Sequence, residues 1–413
     1  FLLGSPLLLA ARPVSALEDL LAAASDCAVD TTERGELIST PAEAINVFDF
    51  RATAERSLSP GHYAYLATGV DREIGLKANR AGFTKFGLRP RRLVDVRDID
   101  TSTEILGTKL SCPIALAPAG AQKAFHPEGE LAVARAAKRK DYLQILSTAS
   151  SAPLEDVIAA REAPIWFQLY TPRAWPVTRW QLKQAEAAGC PVLVLTVDLP
   201  GFGSQTRFSR FRGPGNPFRR TDNRSCVTCH GSSALPRVGR ALRAVGIDPA
   251  VLASDALTLD WEYVDRIRDA TSMKLVLKGI LTHEDASLCV EHGVDGIIVS
   301  NHGARQVDNS LSTIEVLPEI ARAVGGRIPI MIDSGFRRGT DAFTALAPGA
   351  AAVCVGRPYL WGLASFGQEG VGAVLTLLRK ELETAMRHMG TRSLAAISAA
   401  HVDNLRAPAE SSG

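Results

Sequence analysis

From Pro113 onward, short aliphatic runs alternate with longer stretches of mixed polar and apolar positions. The runs are Pro113–Pro118 (PIALAP), Leu143–Ser147, Ile165–Tyr170, Val192–Asp198, Leu275–Gly279, Gly296–Ser300, Ile328–Asp333 and Ala352–Gly356. They are apolar at successive positions, not alternate ones, as expected of parallel strands buried on both faces. Segments with helical spacing fall between them: Glu128–Lys140, Leu154–Ala160, Trp175–Ala188, Trp261–Asp269, His283–Glu291, Ile314–Val324 and Thr340–Ala347. This alternation predicts an α/β fold, a (β/α)8 TIM barrel. The competing doubly wound sheet would carry a GxGxxG loop after an early strand, and the chain has none.

Two regions break the period. Residues 16–111 precede the first strand and read as a mostly helical N-terminal section. Residues 200–258 form a long insert after strand 4, opening GFGSQTRFSRFRGPGNPFRR. An irregular insert at that place predicts a rim lid. Length alone, 413 residues, favours two or three domains. The strand count instead assigns residues 17–413 to one barrel domain. The first residues, FLLGSPLLLAA followed by Val14-Ser15-Ala16, resemble the apolar core and cleavage site of an export signal. Residues 1–16 are therefore expected to be its remnant, placing the protein in a bacterial periplasm. A cytoplasmic or membrane-associated protein is the alternative.

The composition is that of a globular protein, with 46% hydrophobic and 22% charged residues. The net charge of +2 creates no global field for nucleic acid or an anionic membrane. Seven cysteines, an odd and sparse number, imply no disulfide framework. Cys226-Val227-Thr228-Cys229-His230 is a CxxCH string, the pattern of covalent c-type haem attachment. Against haem, the insert has little room for a cytochrome fold and holds no Met as sixth ligand. A redox-active or metal-binding dithiol, or a loop coincidence, is the favoured reading. No other metal centre is expected.

Polar residues gather where the strands end: Gln168 and Tyr170, Thr196 and Asp198, Lys278, Asn301 and His302, Asp333, and Arg357. In a barrel that rim carries the active site. Ser300-Asn301-His302-Gly303-Ala304-Arg305 places an imidazole and a guanidinium three residues apart after a buried strand. Histidine is a base near neutral pH, and arginine offers a fork for a carboxylate. The pair describes an enzyme that holds a carboxylate and removes a proton beside it. Asp333-Ser334-Gly335-Phe336-Arg337-Arg338-Gly339 and Gly356-Arg357-Pro358 follow the last two strands, where barrels often bind phosphate. Lys278 lies inside an otherwise apolar strand and must face something that rewards its charge.

Together SNHGARQ, LVLKGI, APAGAQKAFHPEGE, IWFQLY, LTVDLP, DSGFRRGTD and GRP resemble the FMN-dependent α-hydroxy acid oxidase/dehydrogenase family over about residues 42–402. The family includes glycolate oxidase, lactate oxidase, the flavin domain of flavocytochrome b2 and mandelate dehydrogenase. The resemblance implies FMN as cofactor, a small L-2-hydroxy acid as substrate, and a homotetramer. Oxygen, a quinone or a cytochrome would accept the electrons. It implies that His302 is the catalytic base, Asp198 its carboxylate partner and Tyr170 the hydroxyl near the substrate oxygen. Arg305 and Tyr65 would bind the substrate carboxylate. Lys278 would stand beside flavin N1 and O2, and Ala119 and Gly120 beside N5. Ser147, Gln168 and Thr196 would contact the flavin ring, Asp333 the ribityl chain, and Arg337, Gly356 and Arg357 the phosphate, with Ser300 and Gly335 also at the cofactor site.

Three positions depart from the family pattern. Gln205 stands where the family places a second substrate-side arginine, leaving Arg207 as the nearby candidate. Ala149 replaces a bulky aromatic residue, which predicts a wider pocket. Gly120 tilts the acceptor toward a quinone or cytochrome. The alternatives are another FMN barrel, such as a type 2 isopentenyl diphosphate isomerase or an IMP dehydrogenase-like protein, and a haem-binding electron-transfer protein acting through Cys226, Cys229 and His230.

Overall fold

A computed structural model describes residues 35–170, 175–199 and 259–405, together with Glu33 and Gly246. Eight parallel strands form its centre: β1 (Ile114–Leu116), β2 (Ile145–Ser147), β3 (Trp166–Leu169), β4 (Val192–Thr196), β5 (Lys274–Ile280), β6 (Gly296–Val299), β7 (Ile330–Ile332) and β8 (Ala352–Val355). Each pairs with its sequence neighbour from β2 to β8, and β8 pairs with β1. A bridge between Leu116 and Gln144 closes the sheet, making the expected barrel.

The strands are continuously apolar because both faces are buried against different layers. Ala115, Ile145, Trp166, Val194, Val276, Ile298, Met331 and Cys354 pack into one interior cluster. Their chain neighbours Leu116, Leu146, Phe167, Leu193, Leu277, Ile297, Ile332 and Val353 pack into the layer shared with the helices. Alternation by two is present, but both sets are hydrophobic.

The helices named from periodicity form within a residue or two of their expected bounds. They are Gly129–Lys140, Leu154–Arg161, Trp175–Ala187, Trp261–Ala270, His283–Glu291, Thr313–Val324 and Gly339–Leu346. A final long helix, Arg357–Met389, bends at Phe366 and Gly367 and packs on the N-terminal helix Val47–Ser57. That N-terminal helix begins at Asn46, whose side chain accepts from the Phe48 amide. Asp49 answers with bonds from the Ile45 and Asn46 amides, completing a capping box.

The N-terminal section is less helical than its sequence suggests. Three helices (Val47–Ser57, Pro60–Ala67 and Ile74–Ala81) are followed by Phe86–Leu88, which pairs antiparallel with Val402–Asn404. A hairpin of Thr103–Ile105 and Thr108–Leu110 comes next. These strands are three residues long, too short to show a periodicity of their own. The hairpin plugs the barrel's amino-terminal end. Ile105 and Leu110 join the interior cluster, and Trp166 Nε1 donates to Thr108 Oγ1 at 2.9 Å. Among the described residues, the interior opens into a cavity at the carboxyl rim.

Candidate active site

The interior parity runs on past the strands as polar side chains. Ser147, Gln168, Tyr170, Thr196, Asp198, Lys278, Ser300 and Asp333 continue the series begun by Ile145, Trp166, Val194, Val276, Ile298 and Met331. A cavity of about 860 Å³, counted to its mouth, is lined at this rim by Tyr65, Ala119, Gly120, Tyr170, Lys278, His302, Arg305, Asp333, Gly335, Arg337, Gly356 and Arg357. Ser147, Gln168, Thr196, Asp198 and Ser300 stand behind that lining. Arg207, the CxxCH string of Cys226, Cys229 and His230, the rest of the insert apart from Gly246, and residues 1–16 lie outside the described residues.

His302 sits in an unusual turn. His302, Gly303 and Ala304 have φ of 57°, 64° and 60°, three successive left-handed residues. Such backbone costs about 1–3 kcal/mol per non-glycine residue and needs surrounding structure to hold it. The Ser300 hydroxyl accepts from His302 N at 3.1 Å, Ser334 Oγ from Gly303 N at 3.0 Å, and Asn301 Oδ1 from Ala304 N at 3.1 Å. Asn301 in turn exchanges two amide bonds with Asn79, at 2.8 and 2.9 Å. The N-terminal section thereby fixes the histidine turn.

The imidazole lies between two groups. Nδ1 meets Asp198 Oδ1 at 2.8 Å, and Nε2 meets the Tyr170 hydroxyl at 3.4 Å. Burial opposes ionisation of Asp198, but Lys278 and His302 outweigh it and hold the carboxyl below its usual range. Its second oxygen, Oδ2, is buried and has no hydrogen-bond partner among the described residues. Burial pushes Tyr170 up to about 12, so at neutral pH it carries its proton.

Lys278 is buried and fully compensated. Its Nζ donates to Ser300 Oγ at 2.7 Å and lies 3.1 Å from Asp333 Oδ2. Burial disfavours the ammonium, yet Asp333, Asp198 and Tyr170 together raise it above its ordinary value. Behind the cavity Ser147 Oγ donates to Gln168 Oε1 at 3.0 Å, and Gln168 Nε2 donates to Thr196 Oγ1 at 2.9 Å. This chain ties the ends of β2, β3 and β4.

Arg305 and Tyr65 form one unit. The guanidinium lies 4.4 Å from the Tyr65 ring centroid, and Nη1 donates to the Tyr65 carbonyl at 2.7 Å. The ring also stacks on Phe125. Arg357 holds the same helix end through Leu66 O and Thr68 O, both at 2.9 Å. These bonds satisfy carbonyls that a helix terminus leaves open.

Arg337 and Arg357 are buried, and among the described residues neither makes an ion pair. Burial, then Arg80 and Arg357, pull Arg337 well below its ordinary value. Burial, then Arg305, lower Arg357. Glu33 and Asp341 near Arg337, and Glu73 and Asp333 near Arg357, offset this only in part. Buried cations with incomplete counter-charge are costly until an anion arrives. A phosphate-bearing group fits this place, and the neighbouring compensated lysine fits a ring that gains negative charge. The residues present therefore suit FMN, with Arg337 and Arg357 toward its phosphate and Lys278 toward its ring.

Gly120 and Ala149 acquire a different meaning. A Cβ at position 120 would lie 2.7 Å from Ala149 Cβ and 3.0 Å from its carbonyl oxygen. The glycine is required by this contact, whatever the electron acceptor. Ala149 is not among the cavity lining and packs against the turn instead.

Several contributors escaped the motif reading. Ser334 bridges Asp333 Oδ1, at 2.7 Å, and the histidine turn. Glu130 is fully buried and accepts from Gln122 N, Ser151 N and Ser151 Oγ, joining the loops after β1 and β2. Glu130 lies in FHPEGE, in the first turn of the helix Gly129–Lys140, where nothing in the string marks its buried contacts.

Comparison with known proteins agrees with this geometry. The family model for FMN-dependent dehydrogenases matches residues 54–404. A peroxisomal (S)-2-hydroxy-acid oxidase of Oryza sativa subsp. japonica is 42% identical over 364 residues, covering 87% of this chain and 95% of the relative. Glycolate oxidase of Spinacia oleracea is 40% identical, covering 87% and 96%. A crystal structure of mandelate oxidase with benzoyl-formic acid superposes with a TM-score of 0.75 at 36% identity, covering 87% and 98%.

Proposed function

The chain belongs to the FMN-dependent dehydrogenase family, and from that premise we propose that it oxidises a small (S)-2-hydroxy acid, between glycolate and mandelate in size, to the 2-oxo acid. One observation carries the residue assignment. The Asp198–His302 pair faces the Tyr170 hydroxyl in a cavity that also holds Arg305 and the buried Arg337 and Arg357.

Arg305, braced by Tyr65, takes the substrate carboxylate as a charge-assisted pair. The Tyr170 hydroxyl donates to the substrate's 2-hydroxyl oxygen and orients it toward His302 Nε2. His302 removes the hydroxyl proton as general base. Asp198, held ionised, stabilises the imidazolium that results and keeps the Nδ1 proton on its own side. FMN, when bound, supplies the two-electron acceptor chemistry. Lys278, kept charged by Asp333, offers a fixed cation at that place. Arg337 and Arg357 hold the phosphate.

Oxygen is the proposed final acceptor, supported by relatives named as oxidases. Haem has no support among the relatives. The test is direct. The purified protein should show a flavin spectrum that bleaches anaerobically with glycolate, L-lactate or (S)-mandelate and returns on admitting air. A bound flavin that no 2-hydroxy acid bleaches overturns the reading. Bleaching that only a quinone analogue reverses replaces oxygen as the acceptor.

A further inference from the structure

The best-defined irregularity in the barrel lies beside the catalytic pair. Along β5, Val276 and Lys278 point into the interior, with Leu275 and Leu277 in the helix-facing layer. Ile280 should return to the interior by alternation, yet it packs in the helix-facing layer. The register explains this. Lys278 pairs with Ile298 and Ile280 with Val299, so two steps on β5 meet one on β6. Gly279 is the extra residue of a β-bulge, with φ of 116°.

Gly279 also touches Asp198. A Cβ at this position would lie 2.6 Å from Asp198 Cβ, 2.9 Å from its Cγ and 3.0 Å from its backbone nitrogen. Two of these three contacts are with Cβ and the main chain, so a new side-chain rotamer at Asp198 does not relieve them. Any side chain at 279 must move Asp198 bodily. Asp198 Oδ1 is 2.8 Å from His302 Nδ1, and among the described residues no hydrogen bond anchors its other oxygen.

We propose that Gly279 is a positioning residue, and that its missing side chain sets where Asp198 stands against His302. Lys278, one residue earlier, keeps the regular register and points inward by ordinary alternation, so the bulge bears on Asp198 alone. The inference rests on the assignment of Asp198 and His302 above. Catalytic geometry is held to roughly 0.5 Å, and a misplacement of about 1 Å costs on the order of 100-fold.

The test compares two glycines with similar backbone. Gly349 has φ of 120°, but a Cβ there would meet only Ala321 Cβ at 3.6 Å. G349A therefore reports left-handed strain alone. G279A should keep its flavin spectrum and KM within about threefold but lose about 100-fold in kcat, while G349A keeps kcat. G279A/D198N should be no slower than D198N, because the contact it disturbs is already spent. Equal kcat in G279A and wild type, or penalties that multiply in the double variant, overturn the inference. If G279A does not fold, D198G/G279A should recover folded, flavin-bound protein by removing the obstructed side chain. Failure of that rescue also overturns it. A D198N enzyme with wild-type kcat would instead overturn the underlying assignment of the pair.

Discussion

Around Lys278 and His302 each buried group has a close partner of complementary charge or hydrogen bonding, whereas Arg337 and Arg357 make no ion pair among the described residues and nearby carboxylates offset their burial only in part. Lys278 has Asp333 at 3.1 Å and His302 has Asp198 at 2.8 Å. Among the described residues the Arg337 guanidinium donates to the Phe336 carbonyl and lies 4.8 Å from the Trp361 ring centroid, while its backbone amide donates to Asp341 Oδ2 at 2.8 Å. The first region is paired before any ligand binds. The second is left with an excess of positive charge that the proposed phosphate would offset. Preorganised chemistry and ligand-dependent binding occupy one cavity through opposite charge accounts.

The comparison breaks most sharply through stability. Lys278→Met leaves Asp333 buried and unpaired, which costs about 3–5 kcal/mol. Arg337→Met removes a charge whose burial and cationic neighbours outweigh Glu33 and Asp341, and should leave the apoprotein unchanged or slightly more stable. Urea unfolding of the two apoproteins checks the sign. Equal destabilisation by both would show that the regions do not differ in this way.

Binding gives the next effect. A hydrogen bond between charged groups is worth about 1.5–3 kcal/mol. Arg337→Met should therefore weaken FMN about 10- to 100-fold, as fluorescence titration of the apoprotein would measure. An unchanged affinity would remove Arg337 from the phosphate site. Inorganic phosphate should also stabilise the wild-type apoprotein, by about 1–2 kcal/mol at 10- to 30-fold excess over its dissociation constant. The shift in melting temperature should be absent in Arg337→Met.

The smallest effect is a pH dependence. Asp198 is held below its usual range, so its ionised form contributes stability in full above about pH 4. That contribution is lost as the pH falls through the lowered value. The stability difference between wild type and Asp198→Asn should shrink on acidification, which acid titration of both would reveal. A difference that grows toward low pH would reverse the assigned sign.

Much of this was legible in the sequence because burial on both faces writes a strand as a plain apolar run. Val192 to Thr196 and Gly296 to Val299 are examples. Parity then places Lys278 and Asp333 inside the barrel without any knowledge of the fold's details. What stayed hidden depends on contacts distant in sequence. The left-handed turn at His302 needs Ser300, Ser334 and Asn79 to hold it. The hairpin at Thr103–Leu110 is defined by the barrel end it fills. The tilt drawn from Gly120 dissolved once Ala149 was seen against it. The bulge at Gly279 leaves no local trace beyond one glycine in an apolar strand.

The central claim is that His302, braced by Asp198, removes the substrate proton in a cavity whose cofactor is held by other residues. Anaerobic single-turnover reduction of the bound flavin in wild type and His302→Gln tests it most directly. The account predicts a loss of about 10²–10⁴-fold in the reduction rate, with the flavin still bound and its oxidised spectrum unchanged. Reduction of His302→Gln at the wild-type rate would contradict it.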